Sequence, residues 1–388
     1  MPEQTLFCGL GLVGDDLEVK KNLFLTISKG IIQDIEVEIP NKKGKIQYPD
    51  SLLIPGFINA HVHIGDSFAK DRGLNCSIQE LVEPPNGLKH QLLNEVSDEV
   101  IKLGFNYAIQ EMIASGTTTF VDFRESGEKG IEILKEVLIN NPINAVICGR
   151  PFPTLNVLPK ILELCEGIGL SSSNLYSKAD LDIIRETCKN QNKLILTHAS
   201  ETQEEKSYAS HRFQMSDTKR AVELLDADVL IHITWADAED VQTIAEHGKK
   251  VVICPRSNSQ LSVGYPPIDL LKKYKVLTCL GTDNVMINNL NLFREMEFLF
   301  KSVREKYGIN ELSSYEILKM VTVNPAKSLN LNTEIGSIGV GKRADFSLID
   351  LKAPNLRPFT SIYDALVLRA NPLNIQTVFI GGKIAYAR

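Results

Sequence analysis

Two histidines separated by one residue, His61 and His63, close an apolar run that begins at Ile54. On a β-strand successive side chains alternate faces, so both imidazoles project together, about 7 Å apart along the chain, and can serve one metal ion. The pair alone describes polar residues at a strand end equally well. Three residues far away change its meaning: His198 follows the strand-like stretch Lys193 to Thr197, His232 follows Asp228 to Ile231, and Asp283 follows Leu280-Gly281-Thr282. Four of the seven histidines thus stand at the ends of strand-like segments. Imidazoles with one carboxylate suit Zn²⁺ or Fe²⁺, and a catalytic ion keeps a position open for water. The candidate ligands are His61, His63, His198 and Asp283. Water on such an ion loses a proton near neutral pH, which points to hydrolysis. Glu201 lies three residues after His198, where the chain has just left its strand. A carboxylate there can shuttle a proton between attacking water and a departing nitrogen without binding the metal.

These residues need a scaffold that gathers strand ends. Short runs rich in Val, Ile, Leu or Thr occupy residues 54–61, 117–122, 143–149, 167–171, 193–198, 228–233, 249–254 and 276–282. Helix signals lie between several of them: Ser97 before Asp98-Glu99 and a periodicity ending at Gly116, and Trp235-Ala236-Asp237 leading to a helix closed by Gly248. Eight alternating units predict an α/β fold, a closed (β/α)₈ TIM barrel whose site lies at the carboxyl ends of its strands. Residues 5–53 read as short strands, with Leu23–Ile27 and Ile31–Ile39 alternating around Lys29-Gly30. Residues 344–351 and 377–387 read likewise, with Gly381-Gly382 as a turn. The expected organisation is a small β domain from residues 1–53 plus 340–388 and a barrel domain over residues 54–339. Residues 64–96, with Gly73, Pro84, Pro85 and Gly87, form a long connection of the kind used as lids or substrate loops. Glu80, Glu83 and Lys89 on it suit either a pocket cap or a solvated loop.

Length and composition limit the alternatives. A chain of 388 residues can bury a large core, and 43% hydrophobic with 23% charged residues are globular values. A net charge of −6 and the lack of a strongly basic cluster give no footprint for nucleic acid or an anionic membrane, which favours a small-molecule partner. No apolar run reaches 18 residues, and Met1 to Lys20 carry acids and glycines rather than a basic segment before an apolar one. A soluble cytoplasmic protein is expected. Seven scattered cysteines without a Cys-x-x-Cys spacing read as reduced, buried thiols, and exclude the small zinc-deaminase signature.

The assembled motifs resemble the amidohydrolase superfamily, in its mononuclear branch of cytosine, guanine and S-adenosylhomocysteine/methylthioadenosine deaminases and triazine chlorohydrolases. They are Pro55-Gly56-Phe57-Ile58-Asn59-Ala60-His61-Val62-His63, Ser115-Gly116-Thr117-Thr118-Thr119, Thr197-His198-Ala199-Ser200-Glu201, His232, Cys254-Pro255-Arg256-Ser257-Asn258, Leu280-Gly281-Thr282-Asp283-Asn284 and the tail from Gly336 to Asp345. The resemblance implies that His61, His63, His198 and Asp283 bind the metal, that Glu201 is the proton shuttle, and that His232 holds the metal-bound water or polarises the substrate. It also implies that Asp283 doubles as a base, that the terminal strands form a small β-sandwich, and that homodimers are common. Dinuclear relatives bridge two metals with a modified lysine on strand four. Glu166 to Ser173 contains no lysine, so one divalent ion is expected, Zn²⁺ ahead of Fe²⁺.

One departure bears on specificity. Nucleoside-type deaminases carry a histidine at the end of strand four, whereas this chain has Gly169-Leu170-Ser171-Ser172-Ser173-Asn174-Leu175-Tyr176. Substrate contacts have therefore changed, with Ser173 and Asn174 as candidates. Trp235, the only tryptophan, follows His232 by three residues and could wall a planar heterocycle. Asn258 after strand seven and Asp122 and Arg124 at the end of strand two are further rim candidates, while His90, His211 and His247 receive no chemistry. The expected reaction is hydrolytic deamination of an aminated heterocycle such as a nucleobase, nucleoside or pterin. The rivals are a chloride or ring-amide leaving group, and a non-catalytic scaffold barrel. Glu201 favours a nitrogen leaving group, because chloride needs no proton.

Overall fold

The computed structural model describes residues 3–37, 46–83, 86–151 and 154–388, so Ile39, Pro84 and Pro85 of the sequence reading lie outside the described residues. The chain opens with β1 (Gln4–Val13), β2 (Glu18–Ser28), β3 (Ile31–Val37) and β4 (Ile46–Pro55). Lys29 and Gly30 turn β2 into β3 with φ of 51° and 82°. Positive φ at both central positions matches the twist of a two-residue hairpin, and glycine adopts it without strain.

The central sheet holds β5 (Phe57–His63), β6 (Thr117–Arg124), β7 (Asn144–Gly149), β8 (Gly167–Leu170), β9 (Leu194–Ala199), β10 (Val229–His232), β11 (Lys250–Ile253), β12 (Thr278–Leu280) and β13 (Asp283–Asn284). Strands β5 to β12 pair in sequence order, all parallel, and β13 pairs with β5. Only Gly281 and Thr282 separate β12 from β13, so the two are one strand that meets β11 on one side and β5 on the other. That strand closes the (β/α)₈ barrel. At the seam the Thr282 N–H donates to the His61 carbonyl at 3.0 Å, and Asn59 and Thr282 bond each other through their side chains. A Cβ on Gly281 would stand 2.7 Å from the His61 carbonyl oxygen.

The first barrel strand begins later than the expected residue 54. Ile54 and Pro55 instead extend β4 and pair with Ser347 and Phe346. One apolar run therefore serves two sheets, with Gly56 between them packed so closely on Thr118 that a Cβ would overlap its side chain. Ile58, Ala60, Val121, Phe123, Leu196, Val229, Ile231, Val252 and Cys279 form an apolar cluster on the barrel strands. Strands β6, β8 and β10 are buried throughout, as parallel strands covered by helices must be.

The chain returns through β14 (Phe346–Asp350), β15 (Ile375–Ile380) and β16 (Lys383–Ala387), which extend the first sheet in the order β16-β15-β14-β4-β1-β2-β3. Residues of β1, β2, β4, β14 and β15 share one apolar cluster that includes Leu6, Leu25, Leu53, Phe346 and Phe379. The 64–96 connection has structure of its own, with helices Ile78–Val82 and Leu88–Glu95. Among the described residues no helix is long and apolar enough to cross a membrane.

Candidate active site

The carboxyl ends of β5, β9, β10 and β13 bring His61, His63, His198, His232 and Asp283 together, all buried. His63 Nε2 lies 3.3 Å from His198 Nε2, and Asp283 Oδ1 lies 3.4 Å from His61 Nε2 and 3.5 Å from His63 Nε2. Two nitrogens on a tetrahedral zinc, each at about 2.05 Å, stand about 3.3 Å apart, so this spacing suits one ion. The tautomers agree with that. His63 donates its Nδ1–H to Glu125 Oε1 at 2.9 Å, and His198 donates its Nδ1–H to the Leu170 carbonyl at 2.9 Å. Each Nε2 is then a bare lone pair, and two such pairs facing at 3.3 Å repel unless a cation lies between them. Among the described residues His61 Nδ1 is buried without a hydrogen-bond partner, and its Nε2 meets only the Asp283 carboxylate, at a long 3.4 Å, an arrangement that native proteins seldom leave without a ligand. The donor set fits a divalent cation.

Protonation states favour ligation. Burial lowers the imidazoles of His61, His198 and His232 below the ordinary range; for His63, burial and then the Lys89 charge bring it to about 3. Burial alone would raise the Asp283 carboxyl, but the His61 hydrogen bond and the imidazoles around it hold it well below the usual carboxylate range. The other Asp283 oxygen accepts the Ser257 hydroxyl at 2.5 Å. Neutral imidazoles and an ionised carboxylate are the states that bind metal. Phe123 closes the cluster from below, its ring centroid 4.5 Å from that of His61 and 5.0 Å from that of His198.

Glu201 follows β9 and is 9% exposed. Its Oε1 faces His232 Nε2 at 3.5 Å. Burial, then the nearby Asp283 charge, push the Glu201 carboxyl well above its ordinary range. His232 is oriented by Asn258, whose Oδ1 accepts the Nδ1–H at 2.9 Å while its Nδ2 donates to Thr234. Ser200, His232 and Asp283 have φ of 46°, 72° and 61°. Left-handed backbone at non-glycine residues is strained and persists where surroundings enforce it; at Ser200, Asp217 accepts both the backbone N–H and the hydroxyl.

A cavity of about 520 Å³ opens over the cluster, walled by residues that include His63, His198, Glu201, His232, Asp283, Asn174 and, from the 64–96 connection, Ile78, Val82, Glu83, Lys89 and His90. The other rim candidates fall elsewhere. Trp235 is 40% exposed and donates its indole N–H to the Val263 carbonyl, so it is turned away from the cavity wall. Ser173 is buried and donates to the Asp217 carbonyl. Asn258 is fully buried and acts on His232. Arg124 lies beneath the rim, bonded to Glu125 and paired with Asp122, while Asp122 accepts the Ile64 N–H. His90, given no role from sequence, lines the cavity.

Sequence reasoning missed Glu125, Ser257 and Arg150, and left Lys89 as a possible solvated loop residue. Lys89 is 3% exposed and bonds Glu125, with Asp66 Oδ2 at 3.8 Å. Burial alone would raise Glu125, yet Lys89, His63 and Arg124 hold it well below its usual range. A signal existed for Glu125: it directly follows the strand-two end, at the rim where a barrel builds its site.

Comparison with known proteins agrees with this geometry. The model of the amidohydrolase family matches residues 52–385. An uncharacterised protein of Methanocaldococcus jannaschii is 34% identical over 347 residues, covering 87% of this chain and 88% of its own. A 5-methylthioadenosine/S-adenosylhomocysteine deaminase of Clostridium tetani is 29% identical over 390 residues, covering 95% of this chain and 90% of its own. Among solved structures, a zinc-bound adenosine deaminase of Xanthomonas campestris superimposes with a TM-score of 0.86 over 98% of this chain and 92% of its own, at 22% identity, which speaks to the fold.

Proposed function

The chain belongs to the amidohydrolase family, and from that membership we propose that it is an aminohydrolase that deaminates an aminated heterocycle with one divalent ion held by His61, His63, His198 and Asp283. The observation that carries this reading is the placement of Glu201, a buried carboxyl in the cavity wall that faces His232 beside the ligand cluster. The ion, Zn²⁺ ahead of Fe²⁺, would lower the pKa of water toward neutrality.

The chain's own residues supply the remaining steps. Asp283, kept ionised, accepts the proton of the attacking water. Glu201, kept protonated by burial, gives its proton to the departing amino group, which leaves as ammonia. Two carboxyls whose surroundings drive their proton affinities apart are the usual mark of a base and an acid in one site. His232, its Nδ1–H fixed on Asn258, offers Nε2 as an acceptor that orients water or substrate. The 64–96 connection walls the cavity and limits water entry, which strengthens these charge interactions.

The same reading makes the protein a cytoplasmic homodimer with a β domain drawn from both terminal segments, Ile54 and Pro55 included, on a barrel that begins at β5. Seven unpaired cysteines agree with a reducing compartment. The test is ammonia release by the metal-loaded protein from a panel of aminated purines, pyrimidines and pterins. Turnover of at least one ring supports the reading. Hydrolysis confined to chlorinated rings or cyclic amides contradicts it.

A further inference from the structure

Glu201 is aimed by its backbone. Among the described residues no hydrogen bond holds its carboxyl, and its one ion-pair contact is His232 Nε2 at 3.5 Å. The residues on either side are fixed instead. Thr202 caps the helix Gln203–Phe213, its hydroxyl accepting the Glu205 N–H at 3.1 Å. Ser200 joins β9 to Glu201 with φ of 46°, a conformation that a side chain makes unfavourable. Asp217 enforces it. This carboxylate, 1% exposed, accepts the Ser200 N–H on Oδ2 and the Ser200 hydroxyl on Oδ1, both at 2.5 Å, while the Trp235 N–H holds the Ser200 carbonyl at 2.8 Å. Without Asp217 the buried Ser200 N–H loses its partner, which is costly.

Asp217 belongs to an irregular segment. It opens the short helix Asp217–Lys219, which runs directly into a π-helical turn, Arg220–Leu224. Such turns are rare and recur at functional sites. The segment grips two walls of the site. Asp217 holds the turn that carries Glu201, and the buried Arg220 donates to the Ser173 and Tyr176 carbonyls at 3.3 and 2.9 Å, in the loop that carries Asn174 to the cavity. Asp217 itself is not part of the cavity wall.

We propose that Asp217 is a positioning residue for proton transfer: by holding Ser200 in the left-handed conformation it aims the Glu201 carboxyl at the reacting group. The proposal rests on the aminohydrolase reading for what Glu201 does.

The kinetic test is a double-mutant cycle of Asp217→Ala and Glu201→Gln, on a ring that the metal-loaded wild type deaminates. Asp217→Ala should keep one ion per chain and lower kcat about 10- to 100-fold, with KM changed by less than about threefold. Beside Glu201→Gln the same substitution should cost less than about twofold, because the group it aims is already gone. Three variants separate aiming from a general loss of stability. Asp217→Asn can still accept the Ser200 N–H and donate to its hydroxyl, so it should retain more of kcat than Asp217→Ala. Ser200→Gly, added to Asp217→Ala, should restore part of kcat, since glycine takes this conformation without strain. Arg220→Met, another buried change on the same segment, should combine additively with Glu201→Gln. An unchanged kcat in Asp217→Ala, or a loss that persists in full beside Glu201→Gln, overturns the proposal. Near-wild-type turnover of Glu201→Gln rejects the reading of Glu201 on which it rests, and the proposal with it.

Crystal structures of the wild type and Asp217→Ala give a readout without turnover. In the variant Ser200 should leave the left-handed region, and the Glu201 carboxyl should shift by about 1 Å or more, a misplacement large enough to cost about 100-fold in rate. An unmoved Glu201 overturns the proposal whatever the reaction.

Discussion

Glu125 accepts the Nδ1–H of His63 at 2.9 Å on the same carboxylate oxygen that meets the Lys89 ammonium, while its other oxygen accepts from Arg124 at 2.7 Å. The bond fixes which ring nitrogen of His63 carries the proton and turns Nε2 toward His198 and Asp283. Two cations keep the carboxylate ionised, so it can only accept. Partners of this kind commonly contribute 10- to 100-fold to metal affinity.

Replacing Glu125 with Gln should therefore weaken metal binding about 10- to 100-fold. Competition against a chromogenic chelator measures this without reference to turnover. Lys89→Met should act in the same direction, since it leaves two buried carboxylates short of a cation. Unchanged affinity in both variants would reject the arrangement.

Glu295, which is not among the proposed metal ligands, offers a pH test. It is fully buried against Arg256 and Asn288, and burial outweighs the arginine, raising its carboxyl from 4.5 to about 7. The folded state thus holds this proton more tightly than the unfolded chain, and its contribution to stability is lost as pH rises from about 4.5 through 7. Glu295→Gln removes the titration. Between pH 5 and 8 the stability difference should move in favour of the variant by up to about 3 kcal/mol. Parallel wild-type and variant curves from denaturant melts across that range would refute it.

The barrel seam makes a third prediction. A Cβ at Gly281 would lie 2.7 Å from the His61 carbonyl oxygen and 2.8 Å from the His61 Cβ. Gly281→Ala should cost about 1–3 kcal/mol by overpacking and weaken metal binding as well, because the displaced residue, His61, is one of the proposed ligands. Thermal melting of metal-free and metal-loaded protein separates the effects: the stabilisation given by metal should shrink in the variant. An undiminished metal-induced shift would contradict the coupling.

Much of this architecture is legible in residue order. The barrel could be read because its strands are short apolar runs separated by capped helices, and the histidines because four of them fall where such runs stop. The supports were not legible. Glu125, Lys89 and Ser257 are polar residues in or beside loops, a pattern that usually means solvent, and they are buried only because strand two, the first connection and the segment after strand seven converge on the rim. His232 and Asp283 adopt left-handed backbone without glycine to announce it. Trp235 looked like an aromatic wall from its distance to His232 alone, but that turn sends its indole to Val263. Ile54 and Pro55 belong to the terminal sheet because pairing with β14, which comes almost 300 residues later, decides where β5 starts.

The central claim assigns Glu201 to proton transfer and leaves the metal to the histidines and Asp283. The direct measurement is the metal content and ammonia release of purified Glu201→Gln beside the wild type. The account expects one ion per chain in both proteins, with turnover in the variant reduced about 10²- to 10⁴-fold. Near-wild-type turnover with metal retained would contradict it.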